Sequence, residues 1–315
     1  MSKNSNLDEL IAGILSGSHR FLARAITLTE NAEPLAEEIL KKIFPHTGQT
    51  YRIGITGPPG AGKSTLTAKL AKIFRSRKKK VGIIAVDPTS PFSGGALLGD
   101  RIRMSELTAD PGVFIRSMAT RGSMGGLSKA AHDVADLMDA AGMNIVIMET
   151  VGVGQIELDV ARAADTTVVV LVPESGDSIQ AMKAGLMEIA DIFVINKADR
   201  EGANKLQIEL ELMLDLQADK KEWKPPIIQT VANQDVGIED LFEFLEKHNE
   251  FLTQHGLGND KNYQRVLDKI NQIIHKEMER NFWTESRRET FAKKLPSVLS
   301  RKLSPHELVS LLSNK

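Results

Sequence analysis

The chain has no cysteine among its 315 residues. That removes disulfides, thiolate metal sites and cysteine nucleophiles, and it suits a cytoplasmic protein. No apolar run approaches the length of a membrane span. The first residues, Met1 to Leu10, are polar where a signal peptide is apolar. A surplus of either charge is missing too: Lys+Arg 40 against Asp+Glu 41 leaves −1, which argues against a general nucleic-acid or polyanion binder. The seven histidines form no metal-ligand spacing. What is present, 42% hydrophobic and 26% charged residues, permits a sizeable core and argues against global disorder.

Against that plain background two motifs stand out. Gly57-Pro58-Pro59-Gly60-Ala61-Gly62-Lys63-Ser64 has the form GxxxxGK[ST] and follows a strand-like run, Tyr51–Thr56. Glycines at 57, 60 and 62 let the backbone curl so that its N–H groups point at phosphate oxygens. Ser64, Thr65 and Leu66 then open a helix whose N-terminus favours an anion. In this motif Lys63 reaches the β- and γ-phosphates and the Ser64 hydroxyl coordinates Mg²⁺.

Downstream, Asn196-Lys197-Ala198-Asp199 (NKxD) ends a buried-strand pattern, Asp191–Ile195. Ligands of open α/β sheets bind at such carboxyl ends. The Asp199 carboxylate can accept from the ring N–H and the 2-amino group of guanine. Adenine offers neither, and a site that loses a buried hydrogen bond discriminates by roughly 10⁴–10⁵. Both motifs, in this order, predict a chain that binds GTP and GDP and hydrolyses GTP.

The remaining pattern supplies a frame. Three helices are expected over residues 7–44, broken at Gly17 and before Pro34, with a linker at 45–48. Strand-like runs follow at Arg52–Thr56, Val81–Val86, Val113–Ile115, Ile145–Met148, Thr166–Val172, Ile192–Ile195 and Ile227–Thr230, with helical segments between most of them. The alternation predicts an α/β fold: a mostly parallel sheet covered by helices on both faces. The last strand runs into Val231 and Ala232, whose backbone could touch the base. A helix over Ile238–Lys247 closes the sheet domain, and 255–260 reads as a break. Beyond it Val266, Ile270, Ile273, Ile274 and Met278 form a stripe, and Ser304-Pro305-His306-Glu307 reads as a capping box. The expected division is an N-terminal helical extension (1–48), a P-loop GTPase domain (49–255) and a C-terminal helical arm (256–315).

Metal ligands are expected at strand ends near the P-loop. Asp87 ends the second strand, and the long loop after it carries Asp100. The fourth strand delivers Glu149-Thr150-Val151-Gly152. Many GTPases have DxxG here, so Glu149 replaces an aspartate, its longer arm suggesting an altered metal shell or a role in orienting water, and Gly152 is expected to offer its N–H to the γ-phosphate. Mg²⁺ is therefore assigned to Ser64, Asp87, Asp100 and Glu149, and catalysis to Lys63, Glu149 and Asp100. Gln155 does not directly follow the glycine, which leaves the water-positioning residue open. The Glu174–Lys183 segment is either a third switch or an ordinary loop before a helix.

Asp87-Pro88-Thr89-Ser90-Pro91-Phe92-Ser93-Gly94-Gly95 through Met104 resembles the switch I region of the methylmalonyl-CoA mutase-associated GTPase chaperones, once labelled lysine/arginine/ornithine transport ATPases. Gly17–Leu28, Glu149–Gln155 and Gly176–Lys183 resemble them also. The resemblance implies a cytoplasmic homodimer, dimerised through the C-terminal helices, that uses GTP hydrolysis to gate adenosylcobalamin loading and protection of a cobalamin-dependent acyl-CoA mutase. It also implies that Gly176–Lys183 is the third switch. Two other classes remain: a nickel-type metallochaperone GTPase, which usually carries Cys or His ligands, and an ATPase or kinase linked to basic amino-acid transport, against which Asp199 counts.

Overall fold

The computed structural model describes residues 3–88, 105–120, 126–150, 156–173, 185–216 and 222–313. Residues 1–262 pack as one compact unit and Tyr263–Lys315 as a second.

In the first unit seven strands form one sheet. They are β1 (Tyr51–Thr56), β2 (Val81–Pro88), β3 (Val113–Thr120), β4 (Ile145–Thr150), β5 (Thr166–Leu171), β6 (Ile192–Asn196) and β7 (Ile227–Thr230). Their order is β3-β2-β4-β1-β5-β6-β7, and every named pairing is parallel. β1, β4, β5 and β6 are buried along their whole length, which is why they read as unbroken apolar runs.

Alternate residues feed opposite faces. Ile53, Ile55, Ile147, Val168, Val170 and Val194 pack beneath α4 (Lys63–Ser76) and α8 (Ile238–Gln254), which contribute Leu66, Leu70, Phe74, Leu241, Phe242 and Leu245. On the other face Val146 and Met148 meet α1 (Lys3–Leu15), α2 (His19–Glu30) and α3 (Pro34–Ile43), together with α5 (Gly126–Ala140) and α6 (Ile156–Ala163). Val169, Leu171, Phe193 and Ile195 pack with α7 (Ala203–Asp215). The three N-terminal helices thus lie on the sheet through a shared core. A buried Arg52 reinforces this face by donating to Asp136 at 2.7 Å. The helix expected to stop at Lys247 continues to Gln254, and the break beyond it narrows to His255–Gly256.

The strands' amino ends carry a closed polar network. The Tyr51 hydroxyl lies 2.5 Å from Thr166 Oγ1, and Thr166 Oγ1 lies 2.6 Å from His248 Nδ1. His248 Nε2 faces Asp191 Oδ1 at 3.5 Å, and the Trp223 and His248 ring centroids are 4.7 Å apart. Lys261 Nζ donates to the Asp165 carbonyl at 2.5 Å and reaches Asp191 at 3.3 Å. Burial pushes the His248 imidazole down to about 4, against the pull of Asp191. Burial likewise raises the Tyr51 phenol well above its ordinary value.

The second unit begins within α9 (Leu257–Phe282) and continues through α10 (Glu285–Leu299) and α11 (Pro305–Ser313). Arg287 joins its helices by donating to the carbonyls of Leu312 at 2.8 Å and Phe282 at 2.9 Å. The capping box forms: Ser304 N–H donates to Glu307 Oε2 at 2.8 Å and Glu307 N–H to Ser304 Oγ at 3.1 Å. These bonds hold the Glu307 carboxyl below its usual range.

Candidate functional site

The carboxyl ends of β1, β4, β6 and β7 converge on one edge. Beyond β1 the chain turns through Gly57, Gly60 and Gly62, with φ of 138°, 76° and 89°. Only glycine adopts the first without strain, and a Cβ on Gly57 would lie 2.1 Å from the Val170 carbonyl oxygen. Gly62 precedes the first residue of α4, so the helix's unpaired N–H groups open onto the loop. Ala61 and Lys63 are buried, Ser64 and Thr65 are half-buried, and Pro59 and Gly60 face solvent.

The Lys63 ammonium turns back into the loop and donates to the carbonyls of Gly57 and Pro58, both at 2.8 Å. These neutral acceptors pair poorly with a buried cation, and phosphate oxygens are the stronger partners. The Ser64 hydroxyl donates to Glu149 Oε1 across the β1–β4 pair. A hydroxyl and a carboxylate meeting here form a hard oxygen donor set of the kind Mg²⁺ takes, so the residues fit that ion. Behind them Thr150 donates to Thr56 at 3.1 Å, fixing the ends of β4 and β1.

Asp87 stands near the end of β2, one residue past the Val86–Thr150 pair and so on the same edge. Asp100, Gly152, Gln155 and Lys183 lie outside the described residues.

The guanine-reader motif sits at the end of β6. Asn196 is buried and ties three segments together. Its Nδ2 donates to the Ala61 carbonyl at 2.7 Å, and its Oδ1 accepts from Thr230 Oγ1 at 3.0 Å and from Ala232 N–H at 3.2 Å. A Cβ on Gly62 would come within 2.2 Å of that Nδ2. Lys197 takes a left-handed φ of 59°, and Ala198 N–H donates to the Thr230 carbonyl at 3.0 Å. This tight turn leaves Asp199 exposed at the rim. Val231 and Ala232 are buried beside Asn196, and Val231 bridges to Val236.

Thr230 was not legible as a site residue, because its partner is 34 positions away; its place at the end of the last strand was the available signal. Lys69 of α4 also escaped notice: it pairs at 2.6 Å with Asp235 in the turn beyond Ala232.

Comparison with known proteins gives the family. The family model described as methylmalonyl Co-A mutase-associated GTPase MeaB matches residues 22–287. A GTPase candidate of Pyrococcus horikoshii is 51% identical over 312 residues, covering 98% of each chain. The mouse mitochondrial methylmalonic aciduria type A homolog is 34% identical over 325 residues, covering 97% of this chain and 78% of its own. Among solved structures, one titled LAO/AO transport system kinase superposes with a TM-score of 0.73 at 29% identity, covering 100% of this chain and 98% of its own. The chain therefore belongs to the methylmalonyl Co-A mutase-associated GTPase family MeaB and is a GTP hydrolase.

Proposed function

We propose that this GTPase gates adenosylcobalamin loading and protection of a cobalamin-dependent acyl-CoA mutase of the methylmalonyl-CoA mutase type, as a cytoplasmic homodimer joined through its C-terminal helices. The observation that carries the nucleotide half is the Asn196 amide, bonded at once to the phosphate loop and to the base-side turn. The mutase half is supported by the family description. Among the described residues no helix is long and apolar enough to cross a membrane.

The chain's residues divide the work. Lys63 exchanges its two carbonyl partners for the β- and γ-oxygens, where its charge opposes the charge that develops during phosphoryl transfer. The backbone N–H groups from Gly60 to Thr65 cradle the phosphates. Ser64 and Glu149, with Asp87 and Asp100 directly or through water, would hold Mg²⁺, which would supply positive charge against the phosphates. Gly152 N–H meets the γ-phosphate. Asn196 fixes the distance from loop to base, Asp199 accepts from guanine, and the backbone of Val231 and Ala232 flanks the ring.

No residue of the chain is assigned to orient the attacking water, so turnover in isolation is slow and the mutase accelerates it. The test is GTP hydrolysis with and without the mutase, alongside cobalamin transfer in GDP and in a non-hydrolysable GTP analogue. Mutase stimulation that is blunted in Lys183→Ala, with basal turnover intact, supports the coupling. A mutase that alters neither turnover nor nucleotide affinity, with transfer indifferent to nucleotide, leaves only the GTPase.

A further inference from the structure

Helix α4 opens at the phosphate loop, and farther along it Lys69 reaches across to the turn that follows β7. Its ammonium meets both carboxylate oxygens of Asp235, at 2.6 Å and 2.8 Å. Lys69 is half-buried and Asp235 is exposed. The turn that carries Asp235 is closed on itself. Val231 N–H donates to the Val236 carbonyl at 3.0 Å, and Gln234 N–H donates to the Val231 carbonyl at 2.8 Å. Asp235 takes a left-handed φ of 61°, which a short polar side chain tolerates. Val231 and Ala232, the backbone assigned above to flank the base, belong to this same turn.

Three contacts fix the turn in place. On the β6 side Ala232 N–H donates to Asn196 Oδ1 at 3.2 Å. On the β7 side Gly237 presses so close that a Cβ there would lie 2.2 Å from the Gln229 carbonyl oxygen. On the α4 side stands the Lys69–Asp235 pair. The far end of α4 is fastened separately: Arg77 pairs with Glu239 of α8, and its guanidinium lies 3.9 Å over the Phe242 ring. The contacts to Asn196 and Gly237 are built into the sheet edge, whereas the Lys69 contact is open to water. A solvent-exposed pair contributes little to the stability of a whole fold. It can, however, open locally while the rest of the fold stays intact. A nucleotide leaves a closed site when the walls of that site part, and most tuning of affinity lies in this departure rate.

We propose that the Lys69–Asp235 pair holds the base-side turn against the phosphate helix and so sets how long a guanine nucleotide stays bound. Both are positioning residues, acting through the backbone of Val231 and Ala232. This rests on the placement of base and phosphates proposed above.

The test follows release of N-methylanthraniloyl-GDP, chased by excess GDP, from the unmodified chain, Lys69→Met, Asp235→Asn and the double variant. Asparagine accepts the left-handed backbone as aspartate does, so Asp235→Asn removes the charge and keeps the turn. Each single variant is expected to release the nucleotide about threefold faster, the scale of losing one exposed ion pair, with the association rate unchanged. The double variant is expected to go no faster than either single one, the mark of a shared interaction. Lys69→Arg is expected to restore slow release. Single variants that release at the unmodified rate, effects that add in the double variant, or an Arg variant as fast as Lys69→Met overturn the proposal. Asp199→Ala separates this from the base assignment. If Asp199→Ala speeds release and the Lys69 and Asp235 variants do not, the base site stands and the pair has no such role; if Asp199→Ala also leaves release unchanged, the base site itself is misplaced.

Discussion

The two ends of the one sheet are built from similar side chains and behave in opposite ways. At the amino ends Tyr51, Thr166, His248 and Asp191 contact one another in a chain, and the Trp223 indole lies tilted against the His248 ring. At the carboxyl ends Lys63 rests on its own loop's carbonyls, and Ser64 rests on Glu149. Satisfied networks rigidify a fold, whereas groups paired with weaker substitutes can trade them for a stronger ligand. Changes at the carboxyl edge should therefore remove function and spare stability, and changes at the amino edge should do the reverse.

The largest expected effect is on nucleotide choice. Asp199→Ala should collapse the GTP-over-ATP preference toward unity with little change in melting temperature, because the residue is exposed. Competition binding with both nucleotides checks it, and a preference that survives would move base selection elsewhere. Next, Lys63→Ala should lower single-turnover GTP hydrolysis by about 10³-fold, the order seen when one transition-state charge contact is lost; an active variant would break the assignment of Lys63.

At the other edge the readout is stability. The unfolded His248 takes up a proton near its ordinary value of 6.5, while the folded residue resists until about 4. The unfolded state therefore binds more protons across that window, and stability falls as pH drops through it. The loss comes to about 3 kcal/mol at most, since each pH unit contributes about 1.4 kcal/mol. Urea midpoints measured from pH 7 to 4 for the unmodified chain and for His248→Gln isolate this contribution from the carboxylates. Identical slopes would refute it, while guanine preference should stay the same in both proteins. The smallest effect belongs to Thr67 of α4, whose buried hydroxyl finds no hydrogen-bond partner among the described residues. Thr67→Val should stabilise the fold by about 1 kcal/mol, measured the same way, by removing that unpaired group.

How much of this could be read in the chain depended on sequence distance. All seven strands were visible, because parallel strands buried on both faces are short apolar runs bounded by turn residues. The loop at 57–64 and the capping box at Ser304 were visible for a related reason: their partners lie within a few positions. The Tyr51–Thr166–His248 chain was not, since its links span 115 and 82 positions and no local spacing announces them. Thr230 failed the same way. The full reach of the helix beyond Lys247 was obscured because His248 and Asn249 look like surface polars, whereas His248 is buried against Trp223. The roles assigned to Lys63, Ser64, Asp87, Glu149, Asn196 and Asp199, like those of Asp100, Gly152 and Lys183, are proposals.

The contact between Asn196 and Ala61 has a consequence for how a nucleotide is held. Phosphate cradle and base turn are not two sites on a flexible support. They touch, with no room even for a methyl group at Gly62. On the proposed assignment the chain is a bidentate receptor of fixed spacing, and GDP a chelating ligand matched to it. Guanosine alone or pyrophosphate alone engages one half and forfeits the entropic advantage of a second, tethered binding event. The affinity of the whole nucleotide should then far exceed what either fragment suggests, with the sugar acting as the rigid link that makes the two halves one ligand.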